Sequence, residues 1–524
     1  MPGVSTFRST LVRAAWGALA GLLSAYTALA VAELVAGLVR PAAGPVTVVG
    51  GAVIDRTPAP VKDFAIRTFG ENDKTALQLG ILAILGLIAC ALGILALSRP
   101  RAGAAGVLLF GIVGAVAALS RPDSTGIGDV LPSVVGALAG ALVLYLLAAK
   151  AVQAPAPAGA GGWSRRGFLT AAGVTAVAAT SAGALGRYFG GRQGQGAVAS
   201  RESLVLPEPA SPAPAVPAGV QLKVPGITAF TTPNSDFYRV DTALTVPKVD
   251  AGTWRLRIHG KGVTRPRTYT LDQLLARPLI ERDITLTCVS NEVGGPYIGS
   301  ARWLGVPLAD LLEEAGVRPP SKGGRADQLV ARSVDGMTLG SPVEDVMDGR
   351  DAMLAVGMNG DPLPFDHGFP VRMLVPGLYG YVSACKWIED IELTTFDAYD
   401  PYWVKRKWAR RAPIKTQSRI DTPKPFARPT AGTVTVAGVA WAQHRGITRV
   451  QIRVDDGPWQ DADLAAQAGV DTWRQWSYRW NATPGGHNIT VRATDGTGQT
   501  QTEQRTRTIP DGASGRHSVF VTVT

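Results

Sequence analysis

The sequence predicts a multi-domain protein with an N-terminal bundle of transmembrane α-helices, a central α+β domain and a C-terminal β-sandwich. Hydrophobic residues make up 46% of the 524-residue chain and crowd into its first 190 positions. Residues 226–424 alternate short strand patterns with short helix patterns, which is typical of an α+β domain. Residues 425–524 contain regularly spaced short strands separated by turn residues, which favours a sandwich.

The apolar N-terminal part contains four runs long enough to cross a bilayer, which takes about 20 residues, and a fifth, weaker run rich in Ala, Gly and Thr. The five runs are Leu11–Val39, Ala76–Leu97, Ala102–Ser120, Ile127–Ala149 and Phe168–Leu185. Axial haem ligands in a membrane bundle are usually histidines, and all five histidines of the chain follow these runs. We therefore interpret the bundle as a membrane anchor.

An arginine pair, Arg165-Arg166, stands just before the fifth run and is followed by Gly-Phe-Leu. It resembles a twin-arginine export signal, here internal, but it also fits the ordinary positive flank of a transmembrane helix. Both interpretations put the pair in the cytoplasm, so we expect a multi-pass protein of the cell membrane whose later residues are extracytoplasmic. Residues 191–225 are rich in Pro and Gly and predict an extended linker.

Charge and cysteine content exclude several classes of protein. The net charge is +11, but no basic run is interleaved with aromatic residues, so we expect no nucleic-acid partner. A positive surface beside anionic lipid or around an anionic cofactor explains the charge as well. The chain has three cysteines, Cys90, Cys288 and Cys385, and no Cys-x-x-Cys pair, which excludes a paired-cysteine zinc site, a thioredoxin motif and a c-type haem attachment.

Cys288 ends a predicted strand, because residues 283–287 alternate polar and apolar side chains. Ser290, Asn291 and a Gly-Gly-Pro turn follow it. A cysteine between a strand and a glycine-rich loop has a rigid support and can face a cavity. It can serve as a thiolate ligand, as a small buried apolar residue, or as half of a disulfide.

A second polar cluster presents His367, Arg372 and Lys386 among small residues in glycine-rich turns. Arginine binds phosphate through two parallel hydrogen bonds, and free backbone N–H groups in such turns form concave anion sites. The alternative is a surface loop with solvated charges. The cluster therefore indicates an anion site, with that alternative open.

Three signatures in this order resemble the sulfite oxidase family of molybdopterin enzymes. They are Thr232-Pro-Asn234 through Phe237-Tyr238; Leu286-Thr-Cys288 with Asn291 and the following Trp303–Leu308; and His367–Arg372 through Lys386-Trp387. The resemblance implies a sulfite-oxidase-type molybdopterin domain at 226–424 and an immunoglobulin-like domain at 425–524. In some members of the family that last domain forms dimers, so a homodimer through it is possible here.

The resemblance also implies a molybdenum-molybdopterin cofactor with Cys288 as the protein ligand of the metal. A soft thiolate suits such a centre. The other implied cofactor-binding residues are Asn234, Phe237, Tyr238, Ser333, His367, Arg372, Ser383, Ala384, Cys385 and Lys386. Arg239, Glu292 and Tyr379 are further candidates for the catalytic pocket.

Two departures from the family pattern bear on the substrate. Sulfite-oxidising members carry arginines beside the ligand cysteine and just before the Asn, where this chain has Glu292 and Pro233. A carboxylate in place of an arginine disfavours an anionic substrate. We therefore expect oxygen-atom transfer on a small molecule, sulfite-like or an S- or N-oxide, with electrons exchanged with an unidentified partner. The alternative is a non-enzymatic, membrane-tethered β-rich binding module in which Cys288 and Cys385 form a disulfide.

Overall fold

A computed structural model describes residues 2–58, 61, 64, 68–69, 73–121, 123–124, 126–152 and 165–524. These residues divide into two compact units. One unit comprises the chain up to Gly196 together with Ala243–Val246, and the other comprises Ala197–Thr242 with Pro247–Thr524.

The N-terminal unit is helical. Its described helices are α1 (Pro2–Val39), α2 (Pro45–Arg56), α3 (Asp73–Ala96), α4 (Pro100–Ser120), α5 (Leu131–Val152) and α6 (Arg165–Glu202). Five segments of the described chain are long and apolar enough to cross a membrane: Val12–Val39, Lys74–Ala96, Pro100–Ser120, Ile127–Ala149 and Gly167–Glu202. They overlap the five predicted runs, so the prediction of apolar N-terminal helices is confirmed. The arginine pair opens α6, Trp163 and Ser164 before it lie outside the described residues, and the export signal stays a prediction.

Small residues let the helices of this unit approach closely. A Cβ at Gly21 of α1 would lie 1.9 Å from the Ala89 carbonyl oxygen of α3, and a Cβ at Gly93 would lie 2.0 Å from that of Gly17. Helices within a membrane gain little from hydrophobic burial against each other, so close van der Waals packing at such positions holds them together.

Ionic contacts join two connections of the bundle. The Arg40 guanidinium, just after α1, binds both carboxylate oxygens of the buried Asp129 at 2.9 and 2.7 Å and one of Asp123 at 3.0 Å. Asp129 lies just before α5, so the end of α1 and the start of α5 are on the same side of the bundle. An alternating course through a membrane requires this arrangement.

The predicted linker differs from the structure in two ways. Residues 191–202 are helical, because the prolines that exclude a helix begin only at Pro207. Beyond the helix, the segment lies against the second unit instead of forming a free spacer. Leu204 and Leu206 pack on its core, and Ser211 forms a β-bridge with Ile280.

The central domain contains one mixed sheet, one antiparallel sheet and short helices. Its strands are β1 (Arg255–Gly260), β2 (Arg267–Thr270), β3 (Ile280–Thr287), β4 (Ile298–Pro307), β5 (Gln328–Ser333), β6 (Thr338–Pro342), β7 (Met353–Met358), β8 (Asp361–Pro362), β9 (Arg372–Leu374) and β10 (Ile388–Thr394). Its helices are α7 (Leu271–Leu275), α8 (Leu308–Glu314), α9 (Val343–Val346) and α10 (Gly380–Ser383). One sheet has the order β2-β1-β10-β5-β6, in which β1 and β10 are parallel, and the other has β3-β4-β7-β8 with β9 on β7.

The C-terminal domain is a β-sandwich, as predicted. Its strands are β11 (Gln417–Thr422), β12 (Gly432–Trp441), β13 (Ile447–Val454), β14 (Gln460–Asp461), β15 (Asp463–Leu464), β16 (Arg474–Ala482), β17 (Gly485–Asp495) and β18 (His517–Val523). The sheets β11-β12-β16-β15 and β14-β13-β17-β18 enclose a core that contains Val436, Trp476 and Ile489. Because β11 pairs with β12, the sandwich begins before the predicted boundary at residue 425.

Candidate active site

Cys288 lies at the end of β3, where the sequence predicts it. Its N–H donates to the Tyr297 carbonyl at 3.0 Å, which closes the loop between β3 and β4. The side chain is only 8% exposed, and the Ser290 N–H points at the sulfur from 3.4 Å. Burial raises the pKa of the Cys288 thiol, while the Ser290 donors and the Lys386 ammonium act in the opposite direction. A buried thiol that already faces donors and a cation is suited to act as a thiolate ligand once a metal is present.

An aromatic wall stands beside this thiol. The Phe237 ring stacks on Tyr238 with centroids 5.2 Å apart and meets Trp303 and His367 edge-on at 5.8 and 5.5 Å. Gly299 of β4 makes room for the Phe237 ring, because a Cβ there would lie 2.8 Å from it. The wall therefore runs from β4 to the loop that carries His367.

Tyr238 connects the two predicted clusters. Burial raises the pKa of its phenol, the Cys288 sulfur raises it further, and the Arg372 guanidinium lowers it. Both groups thus lie within electrostatic reach of one hydroxyl. The Tyr238 ring, stacked on Phe237 beside Trp303 and His367, therefore belongs to the same site as the cysteine loop and the cationic cluster.

Arg372 is a buried cation. It is 6% exposed, its Nη1 donates to the His367 carbonyl at 3.4 Å, and its Nε has no hydrogen-bond partner among the described residues. In the described part of the chain, no carboxylate forms an ion pair with it, and its guanidinium lies 5.3 Å above the Trp303 ring. Burial lowers the pKa of Arg372 to about 10. Burying an unpaired charge is costly, so these contacts fit a site that receives an anion.

Two neighbouring features agree with a bound anionic group. The Ser333 hydroxyl is buried and has no hydrogen-bond partner in the part of the chain that the structure describes. Gly368 adopts φ 111°, and a Cβ there would press on the Lys386 Cα at 3.1 Å and the Arg372 Cβ at 3.2 Å. Glycine thus allows this loop to fold tightly around the cationic side chains.

Lys386 is paired with a residue that the sequence analysis did not identify. Its ammonium donates to the Asp241 carboxylate at 2.7 Å and to the Asp366 carbonyl at 3.0 Å. Burial lowers the pKa of Lys386 to about 8, against the opposing effect of Asp241. Arg239 pairs with Asp241 at 2.9 Å and with Asp366 at 3.3 Å, which places this candidate catalytic residue in the same ion-pair cluster.

His367 is held as a neutral imidazole. It is buried, and its Nε2 lies 3.0 Å from the Asn234 carbonyl oxygen. Burial and the Arg372 charge lower the pKa of His367 to about 4. The Asn234 amide donates to the Met358 carbonyl at 3.2 Å and accepts from Asn359 at 2.8 Å, so Asn234 links the His367 loop to the end of β7.

Ser383 and Cys385 have side chains that are engaged within the protein, and the Ala384 N–H donates to the Gly380 carbonyl at 2.9 Å. The Ser383 hydroxyl donates to the carbonyls of Leu378 and Tyr379 at 3.0 and 3.1 Å. The Cys385 thiol is buried and faces the Lys386 carbonyl at 3.7 Å. The three cysteines of the chain are free thiols, so the predicted Cys288–Cys385 disulfide of the binding-module alternative is wrong.

The last two candidates differ in their surroundings. Tyr379 is buried, its ring packs against Gly512 of the sandwich, and burial, Asp511 and Cys288 raise the pKa of its phenol. The Glu292 side chain is exposed to solvent, so the structure does not place it in the buried part of the site.

The sequence did not identify Asp241, Gln443 and Arg419 as residues of the site. One feature of the sequence could have identified Asp241: it follows Arg239 by two residues, and two cations such as Arg239 and Lys386 favour a nearby carboxylate. Gln443 and Arg419 of the sandwich also contact the cysteine segment, but they had no local signal, because Gln443 lies 158 residues from Thr285, its partner.

Comparisons with known proteins give matches for the central and the C-terminal domain. Residues 243–403 match the oxidoreductase molybdopterin binding domain, and residues 417–491 match a bacterial Ig domain. Mitochondrial sulfite oxidase of Mus musculus is 31% identical over 291 residues, which are 48% of this chain and 53% of that protein. The Homo sapiens enzyme is 30% identical over 310 residues, 51% of this chain and 56% of that protein. The chain thus spans about half the length of these relatives.

More distant similarities cover smaller parts or fit less closely. NADH nitrate reductase 1 of Oryza sativa subsp. japonica is 33% identical over 199 residues, 34% of this chain and 21% of that protein. Among solved structures, the sulfane dehydrogenase SoxCD from Paracoccus pantotrophus is 25% identical and covers 56% of this chain and 82% of that chain, with a TM-score of 0.48.

Proposed function

Because this chain belongs to the sulfite oxidase family of molybdopterin oxidoreductases, we propose that it transfers an oxygen atom at a molybdenum centre that the Cys288 thiolate binds. The observation that carries this proposal is the buried Arg372, which forms no ion pair with a carboxylate of the described residues, in the same site as a buried thiol. A metal-binding sulfur and a separate phosphate-binding arginine are the two protein groups that such a cofactor requires.

Each part of the site has a role in this proposal. Arg372, Lys386 and the backbone of residues 383–385 bind the phosphate of the cofactor. Asn234, Ser333, His367 and the Phe237-Tyr238 pair line its pterin, and Cys288 binds its metal. The bound cofactor supplies the redox chemistry, while the protein supplies position, charge and exclusion of water.

Tyr238 and Tyr379 donate hydrogen bonds at the reacting end. Burial raises the pKa of both phenols and the sulfur of Cys288 raises it further, so both keep their protons at neutral pH. A protonated phenol can donate to the oxygen atom of a bound substrate, as an oxyanion-stabilising group does.

The substrate we propose is a neutral S- or N-oxide rather than sulfite. The Lys386 ammonium counteracts the rise that burial causes in the pKa of the Cys288 thiol, but its charge is balanced by an ion pair with Asp241. Burial and the Asp511 carboxylate of the sandwich raise the pKa of Tyr379. A site of phenols and paired charges suits a neutral molecule better than an anion. Turnover of a panel of sulfite, methionine sulfoxide and an amine N-oxide with a dye as electron partner tests this choice; turnover of sulfite alone would contradict it.

The placement of the protein is part of the proposal. In this proposal the five apolar helices anchor the protein in the cell membrane, and Arg165-Arg166 at the start of α6 stays in the cytoplasm, so that the catalytic domain lies outside it. Electrons then pass to or from a separate partner, which the chain does not identify.

The test of cofactor binding is the molybdenum and pterin content of the purified full chain and of Arg372→Met. Arg257→Met is the matched control, because Arg257 is an exposed arginine on β1 of the same domain. Since a charge-assisted hydrogen bond is lost, we expect pterin content to fall about tenfold or more in Arg372→Met and to stay unchanged in the control. Equal cofactor content in the two variants, both folded by thermal melting, would overturn the proposal.

A further inference from the structure

The strand that carries Cys288 is an edge strand of its own sheet, and the C-terminal domain covers that edge. β3 stands at one end of the order β3-β4-β7-β8. The Thr285 N–H donates to the Asp471 carbonyl at 2.9 Å, and the Thr285 hydroxyl accepts from the Trp473 N–H at 2.8 Å. The sandwich domain thus satisfies polar groups that an edge strand otherwise leaves open.

Gln443 adds the contact nearest to the cysteine. This fully buried side chain donates from its Nε2 to the Thr285 carbonyl at 2.9 Å and to the Thr287 hydroxyl at 3.0 Å. Thr287 directly precedes Cys288 in the chain. The side-chain amide of Gln443 therefore fixes the last three residues of β3, directly before Cys288.

Arg419 of β11 holds the loop on the other side of the cysteine. Its Nη1 donates to the Gly295 carbonyl at 2.8 Å. Its Nε donates to the Asp421 carboxylate at 2.7 Å and its Nη2 to the Thr228 hydroxyl at 3.0 Å, so a bond from each of the three nitrogens fixes the orientation of the guanidinium. A pre-oriented planar cation loses little entropy when it holds a loop carbonyl.

The His517 ring closes over the same loop. Gly294 adopts φ 82°, and a Cβ there would lie 2.3 Å from the ring, so only glycine fits. The ring is itself held, because its Nδ1 accepts the Ile420 N–H at 3.0 Å. Arg419 and His517 together restrict the movement of the loop at Gly294 and Gly295.

From these contacts we propose that Gln443 and Arg419 of the C-terminal domain are positioning residues for the Cys288 sulfur. Gln443 holds the strand before the cysteine and Arg419 holds the loop after it, so the sulfur keeps one orientation towards the site. The sandwich domain is then part of the active-site scaffold and not only an added module. The inference rests on the proposed function for what the sulfur binds, but the restraint itself belongs to the chain without cofactor. A ligand that is not fixed by its surroundings binds and reacts less well.

The first test needs no cofactor. The reaction of Cys288 with a maleimide is followed in the cofactor-free full chain, with the modified cysteine identified by mass spectrometry. Gln443→Leu and Arg419→Met each remove one restraint, and we expect Cys288 to react about tenfold faster in each because the segment opens more often. Arg419→Lys keeps the charge and one donor and is expected to lie between wild type and Arg419→Met.

The matched control is Arg449→Met. Arg449 is also a sandwich arginine paired with an aspartate, Asp461, but the pair is exposed. We expect its Cys288 rate to equal that of wild type. Wild-type rates in Gln443→Leu and Arg419→Met would overturn the inference. Reaction of the buried Cys385 reports a lost fold, and in that case Gln443→Met and Arg419→Lys decide the question by the same rate.

The second test uses the loaded enzyme. A thiolate bound to an oxidised metal gives a charge-transfer absorption whose energy depends on the orientation of the sulfur. We expect this band to shift and kcat to fall several-fold, with KM unchanged, in Arg419→Met but not in Arg449→Met. If the chain binds no molybdenum, the proposed function fails while the maleimide rates still decide the positioning role.

Discussion

At the scale of single residues, the candidate site is marked by polar atoms that its own fold leaves unsatisfied. Within the described residues, the Arg372 Nε and the Ser333 hydroxyl are both buried and both without a hydrogen-bond partner. Buried polar groups in proteins are nearly always paired, so these two atoms fit a site that a ligand completes.

Ser333→Ala should affect the cofactor-free and loaded proteins in opposite directions. Without cofactor, removing an unpaired buried hydroxyl should raise the free energy of unfolding by up to about 1 kcal/mol. With cofactor, the lost hydrogen bond should weaken binding. Ser383→Ala is the control, because its hydroxyl already donates to two carbonyls and its loss should destabilise both forms by about 1 kcal/mol. Melting curves of both forms check this, and destabilisation of the cofactor-free protein by Ser333→Ala would contradict it.

His517 should make the protein sensitive to acid. Burial lowers the pKa of His517 to about 4, below the usual 6.5 of the unfolded chain. Between these values the unfolded chain binds more protons, so stability is complete above pH 6.5 and is lost as pH falls towards 4. The loss should be at most about 3 kcal/mol.

Melting temperature against pH measures this effect. In His517→Gln the decline between pH 6.5 and 4 should be shallower, although His367, with its pKa of about 4, still contributes to it. His487 is the control of opposite sign, because its hydrogen bond to Asp455 raises the pKa of His487. An unchanged decline in His517→Gln would show that this ring does not stay neutral in the folded protein.

At the scale of secondary structure elements, the site depends on how closely β4 approaches the aromatic wall. In Gly299→Ala the new Cβ would lie 2.8 Å from the Phe237 ring, which must then move together with the stacked Tyr238. We expect destabilisation of about 1–3 kcal/mol and a lower cofactor content. Gly469→Ala is the control, since a Cβ there meets no atom within 4 Å. Equal melting temperatures and cofactor contents in the two variants would contradict this account of the wall.

The sequence predicted the elements whose signals are local. The alternation before Cys288 predicted β3, and the repeated short strands predicted the sandwich. The sequence did not predict that helix α6 continues to Glu202. The Pro/Gly-rich composition was averaged over residues 191–225, although residues 191–206 contain no proline.

Residues of the site were likewise predicted only where the pattern that marks them is local in sequence. His367, Arg372 and Lys386 lie in one segment and were identified from it, whereas Asp241, which neutralises Lys386, comes from another segment. Glu292 was a candidate because it is close to Cys288 in sequence, yet its side chain faces solvent. Contacts of Gln443 and Arg419 across the domains depend on packing over long sequence separations, which no local pattern encodes.

At the scale of the whole molecule, the two units have separate cores and separate roles in the proposal. The second unit has its own buried clusters in the central domain and the sandwich. We therefore expect residues 203–524, expressed without the helices, to fold and to retain the cofactor. Cofactor content per chain compared with the full-length protein measures this, and an insoluble or cofactor-free product would contradict it.

The orientation in the membrane gives a further prediction for the whole chain. Since Arg165-Arg166 at the start of α6 favours the cytoplasm, a C-terminal alkaline phosphatase fusion, which is active only outside the cytoplasm, should be active. A fusion made in the turn between α3 and α4, which carries Arg99 and Arg101, should be inactive and serves as the control. The reverse pattern would place the catalytic domain in the cytoplasm.

The measurement that tests the central claim most directly is X-ray absorption at the molybdenum edge, which counts the sulfur neighbours of the metal. Cys385→Ser is the matched control for Cys288→Ser, because both thiols are buried and free in the same domain. Our account predicts one sulfur neighbour fewer in Cys288→Ser and an unchanged count in Cys385→Ser. The same sulfur count in wild type and Cys288→Ser would show that this thiolate does not bind the metal.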